Sequence, residues 1–138
     1  MVDAERLRRI LQRVADDVAT LRPYAEAEPA ELLADPVRLG HVKYLFVTAI
    51  EGCVDAAQHV CASEELGPPE TNADAMAVVA RHGILSADLA ERMGAAVGFR
   101  NLLVHRYASV DDRRVVEHLS ELHDLERFVA ALSELLAD

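Results

Sequence analysis

Apolar side chains recur at steps of three and four along four separate stretches of this chain, and that periodicity limits the fold more than any other feature. Such a stripe lies along one side of an α-helix, and it leaves water only by packing against another. The first stripe is Leu7, Ile10, Leu11, Val14, Val18 and Leu21, with Asp3 placed to cap the helix and Pro23 expected beyond its end. The second runs from about Val37 to Glu64 through Val42, Leu45, Phe46, Ala49, Cys53, Ala56 and Val60. Ser86 caps the third, whose Leu89, Met93, Ala96 and Leu103 form a core-facing line running on towards His105 or Tyr107. The fourth opens at Asp111-Asp112 and carries Leu122, Leu125, Val129, Leu132 and Leu136 almost to the C-terminus.

Two shorter stretches join these. Tyr24 to Pro36, rich in Ala and Glu with two prolines, predicts a connector with room for a short helical turn. Gly67-Pro68-Pro69 breaks the chain, after which Thr71 and Asp74 resemble a capping pair ahead of Met76, Val78 and Val79, a short helix ending near His82-Gly83. The scarcity of aromatic side chains, 4% of the residues, suits helices better than strands. The expectation is therefore an all-α fold, an antiparallel four-helix bundle with one additional short helix, residues 1–138 forming one domain.

Several function classes are narrowed by composition. Met1 to Arg9 carries Arg and Asp where a signal peptide would be apolar, and no apolar run reaches the roughly 18 residues of a membrane span, so the protein is expected in the cytoplasm. Cys53 and Cys61 lie eight residues apart on one predicted helix, about 12 Å along its axis, which predicts free core thiols and no mutual disulfide. A net charge of -10 argues against unspecific coating of nucleic acid. The acidity is uneven, however: residues 1–22 hold five Arg against four acids and residues 83–110 three Arg against two, so any RNA contact should use those segments.

The chemistry is concentrated in the stretch MGAAVGFRNLLV, where Arg100 and Asn101 are the only polar side chains. Arg100 continues the line Leu89, Met93, Ala96, and an unpaired charge there would be costly, so it needs an anionic partner or a wet cleft. Asn101 and His105, four apart, share a face, and Tyr107, seven after Arg100, would return close to the Arg line on a continuing helix. One reading pairs Arg100 with a buried carboxylate such as Glu51 or Asp55 and lets His105 merely end the helix. The other gathers four functional groups at one helix end.

The order Arg100, His105, Tyr107 within GFRNLLVHRY resembles the signature of HepT toxins in the HEPN superfamily of all-helical, metal-independent ribonucleases. Those proteins carry an Arg, a polar residue after it and a His four to six positions on. The length, the helix order, the segment AIEGCVDAAQHV and the long amphipathic C-terminal stretch extend the resemblance over most of the chain. It implies an endoribonuclease acting on tRNA or mRNA, with Arg100 and His105 catalytic, Asn101 supporting, and no cofactor or metal. It implies as well a homodimer or larger assembly with a composite cleft. The expected partner is an MntA-type nucleotidyltransferase antitoxin that transfers AMP to Tyr107. An imidazole titrates near neutrality and a guanidinium stays charged, so His105 suits proton transfer and Arg100 suits phosphate. A second reading is a silent helical bundle that binds a nucleotidyltransferase and presents substrate to it, in keeping with the acidic composition.

Glu51, Asp55 and His59 recur every four residues, a spacing compatible with a metal site, but a solvated face or partners for Arg100 explain them more simply, and no metal is predicted. His118 and His123 lie on or beside the fourth stripe and read as structural, while His41 and His82 are expected to flank helix ends. Arg106, Arg113 and Arg114 are secondary RNA contacts or ordinary surface arginines.

Overall fold

The computed structural model of the chain describes residues 1–137, and among these it is helical without strands. Helix α1 spans Ala4–Glu26, α2 Pro29–Leu33, α3 Pro36–Ser63, α4 Asn72–Arg81, α5 Ala87–His105, α6 Asp112–His118 and α7 Leu122–Ser133. The three predicted caps form: Asp3 accepts from the Arg6 amide, Ser86 from Leu89 and Thr71 from Asp74. Asp74 turns outward from that pair, its carboxylate accepting from the Glu70 amide.

Helix α3 is the spine, packing against α1, α4, α5 and α7. Leu7, Val14, Ile50, Met93, Leu122, Phe128 and Leu132 are sealed in the core among them. Gly52 marks the tightest crossing, where an added Cβ would stand 2.5 Å from Val14 Cγ2, so α1 and α3 meet there with no space for a side chain. This crossing fixes the turn of α3 that carries Glu51. The C-terminus of α4 closes in a Schellman arrangement, with Gly83 at φ +80° and the Ile84 amide donating to the Val79 carbonyl at 3.0 Å.

Three boundaries differ from expectation. Pro23 sits inside α1 rather than beyond it. Proline removes one ladder bond, yet the last turn persists because Tyr24, Ala25 and Ala27 pack against the core beyond it. His41 lies within α3, its Nδ1 2.7 Å from the Tyr24 hydroxyl, and does not flank a helix end; His82 does, as the cap residue of α4. The fourth apolar stripe is not one helix: a 3₁₀ turn at Leu119–Glu121 separates α6 from α7. Leu119 and Leu122 are both buried, and at three residues per turn the two side chains eclipse one another on the inward side. The bundle thus has three long helices, α1, α3 and α5, with α6 and α7 sharing the fourth position.

Cys53 and Cys61 are buried and unbridged, and burial pushes both thiols up, Cys53 furthest. No helix among the described residues is long and apolar enough to cross a membrane.

Candidate active site

Arg100 projects from the inner side of α5 near its C-terminus, with its side chain 21% exposed. Its Nη2 donates to Glu51 Oε1 on α3 at 2.5 Å and its Nη1 to Asn101 Oδ1 at 3.1 Å. The Nε is buried without any partner. The predicted need for an anion is met by Glu51 and not by Asp55, which stays exposed one turn further along α3. Arg100 thus has a carboxylate partner, and it also borders an open groove of about 340 Å³ lined by Glu51, Val54, Asp55, Gln58 and Asn72, which Asn101, His105 and Tyr107 do not line. Of the five guanidinium N–H donors two are used and the one on Nε is sealed, so the second N–H of each terminal nitrogen is what remains for an incoming oxyanion.

Asn101 and His105 are exposed, one helical turn apart on the outer side of α5. His105 makes no hydrogen bond or ion pair among the described residues, so both ring nitrogens face solvent chemistry. Helix α5 ends at His105, with the Arg106 amide closing on the Leu102 carbonyl at 2.9 Å. Tyr107 therefore does not lie on a continuing helical line with Arg100. It begins a 3₁₀ turn, Tyr107–Ser109, and leans on α3, where Lys43 Nζ stands 4.7 Å from its ring centroid. The reason is local: nothing in Tyr107–Ser109 is buried, so the segment has no apolar side chain to prolong α5 against the core.

The arginines beyond the motif, Arg106, Arg113 and Arg114, are all exposed, and Arg113 also borders a separate cleft with Tyr24, Leu33 and Val116. Glu51, Asp55 and His59 do not gather: Glu51 turns to Arg100, and His59 Nε2 accepts from the Asp3 amide at 3.1 Å. Among the described residues no group of three metal-type side chains forms. His118 stacks on Phe99 with centroids 3.8 Å apart and bonds Glu121 at 2.7 Å, a structural role; His123 stays at the surface near Glu126.

Lys43 is a buried cation beside the site. It carries the same signal as Arg100, a cation interrupting an apolar line, here between Leu39 and Phe46 four before and three after it. Its ammonium is nearly sealed and meets Asp112 Oδ1 at 2.8 Å.

The chain superposes on a tri-AMPylated HEPN toxin of Shewanella oneidensis, solved in complex with its MNT antitoxin, with a TM-score of 0.86 at 21% identity, covering 97% of this chain and 99% of that one. Residues 3–132 match the family described as ribonuclease HepT-like, and the chain belongs to that family. It is 30% identical over 81 residues to the mRNA nuclease HepT of Shewanella oneidensis, covering 57% of this chain and 60% of the relative. It is 29% identical over 70 residues to the tRNA nuclease HepT of Aphanizomenon flos-aquae, covering 51% and 48%. The chain thus spans about half to three-fifths of the length of these two curated relatives.

Proposed function

We propose that the chain is a metal-independent endoribonuclease toxin, that a second copy completes its working site, and that a partner nucleotidyltransferase silences it by AMP transfer to Tyr107. The observation that carries this reading is the guanidinium of Arg100 bordering an open groove, with an exposed His105, unpaired among the described residues, five positions on at the end of the same helix.

The chemistry needs no group beyond these. The 2′-oxygen of a ribose attacks the adjacent phosphorus; the new P–O bond forms as the bond to the 5′-oxygen breaks. One imidazole takes the 2′-hydroxyl proton and an imidazolium returns one to the departing 5′-oxygen, leaving a 2′,3′-cyclic phosphate and a 5′-hydroxyl. Arg100 binds the non-bridging oxygens as their charge grows, with Asn101 and Glu51 fixing its fork. One His105 holds one proton at a time, so the acid and the base come from two copies across a two-fold axis. Support for such a face comes from Gly94 and Gly98, which meet nothing within 4 Å, on the side of α5 that carries Asn101 and His105. AMP added at the half-exposed Tyr107 would place phosphates beside the cleft and repel RNA. Arg106 and Arg114 would steer the substrate, with Arg113 a lesser contributor.

The test incubates purified protein with cellular RNA in excess chelator, beside Arg100→Ala and His105→Ala. The parent should cut, and each variant should lose roughly a hundred- to a thousandfold or more, as when a phosphate clamp or a proton-transfer group is removed. Equal cutting by all three would mean contamination; no cutting by the parent would favour the silent bundle that presents substrate to a nucleotidyltransferase.

A further inference from the structure

We infer that Lys43, together with Asp112, is a positioning residue that staples the Tyr107 turn to α3 and presents the phenol as an AMP acceptor. The inference rests on the modification of Tyr107 proposed above and names what makes that residue a competent target.

Lys43 is the one charged residue classed as buried among the described residues. An ammonium so placed is costly unless it is paired. Its two partners lie on either side of the joint between α5 and α6: the Tyr107 ring, 4.7 Å from Nζ, and the Asp112 carboxylate, 2.8 Å away in the first turn of α6. The intervening segment has almost nothing else to hold it. Tyr107–Ser109 buries no side chain, Val110 is half-buried, and a single backbone bond, Ser109 amide to Arg106 carbonyl, closes the turn. A cation over the ring and a carboxylate on the same ammonium therefore supply the main ties between this joint and the core.

Gly40 sets the direction of the phenol. It lies one turn before Lys43 on α3, and a Cβ there would be 3.7 Å from the Tyr107 hydroxyl. The ring thus lies lengthwise on α3, with Lys43 over its face and its oxygen beside a residue without a side chain. That oxygen makes no hydrogen bond among the described residues, and Tyr107 is 54% exposed. In the transfer, the phenol oxygen forms a bond to the α-phosphorus of ATP, pyrophosphate leaves, and the phenol proton passes to a base of the partner enzyme. A phenol free to swing would reach that geometry seldom; one fixed by its ring reaches it often.

Two measurements on the full chain decide the point. In hydrogen exchange of the protein alone, Lys43→Met should speed the amides of residues 107–112 at least tenfold while those of α3 and α5 keep the parent's protection. With the partner nucleotidyltransferase and ATP, intact mass should show the first AMP added about tenfold more slowly, in kcat rather than in KM, and Lys43→Arg should recover part of the rate. Should Lys43→Met fail to fold, Asp112→Asn, which alters a half-exposed carboxylate, should give both effects in smaller measure. Parental exchange together with parental AMP addition in a folded variant overturns the staple while leaving Tyr107 as target. AMP added as fast to Tyr107→Phe as to the parent overturns the acceptor role itself, and the staple's purpose with it.

Discussion

Helix α5 carries two clusters built from the same residue types, and they are finished differently. Along its first half, Arg92 bonds Asp124 at 2.9 Å and Arg127 reaches both Asp88 and Asp124, and further along His118 stacks on Phe99 while meeting Glu121. The hydrogen bond from Arg92 to Asp124, with that carboxylate's charge, holds the guanidinium still more firmly in its charged form. Near the end of the helix, among the described residues, Arg100 has a partner on each terminal nitrogen but none on its buried Nε, and His105 has none. In the first cluster each cation and the imidazole already faces a carboxylate, which competes with any ligand for it, although the adjoining cleft is about 170 Å³ and lined by Phe46, Ile50 and Phe99. The incomplete cluster is where binding energy remains available.

The largest effect that could break this contrast is on RNA cleavage. Arg92→Ala should cut like the parent under conditions in which Arg100→Ala is inactive, compared at equal folded concentration by single-turnover rates. Comparable losses in both would remove the distinction between the two ends of α5. Glu51→Gln sharpens it: the guanidinium keeps its place less well, and cleavage should fall about ten- to a hundredfold, the scale of a misplaced catalytic group. Because the Glu51 side chain is 44% exposed, its loss should lower stability by only about 1 kcal/mol, measured by urea unfolding. Gly52→Ala tests the frame beneath. A methyl group 2.5 Å from Val14 Cγ2 should cost about 1–3 kcal/mol and, by pushing α3 from α1, should slow cleavage a few-fold through Glu51. His118→Gln, at the closed cluster, should leave the cleavage rate unchanged within error.

Much of this contrast is legible before any coordinates, and the parts that are not have physical causes. Stripe period and caps place α1, α3 and α5, since Asp3, Ser86 and the apolar lines act within a few residues of themselves. Arg100 stands out because a cation in an apolar line demands a partner. The choice of Glu51 over Asp55 does not show, because both lie on the same face of α3 and only the crossing angle with α5 selects between them. Tyr107 misleads for a related reason: helical spacing assumes that the helix continues, and whether it does depends on core contacts that residues 107–109 lack. The 3₁₀ turn at 119–121 is hidden because Leu119 and Leu122 fit an α-helical stripe as well as a tighter one. Lys43 is legible in the sequence by the same argument as Arg100, a cation interrupting an apolar line.

The most direct measurement is the chemistry of the ends left on cut RNA, determined in excess chelator for the parent, Arg92→Ala and His105→Ala. Transfer to a 2′-oxygen by Arg100 and His105 predicts 5′-hydroxyl and cyclic-phosphate ends from the first two proteins and no cut from the third. Cuts bearing 5′-phosphates, or undiminished cleavage by His105→Ala, would contradict the assignment of the open end of α5 as the catalytic one.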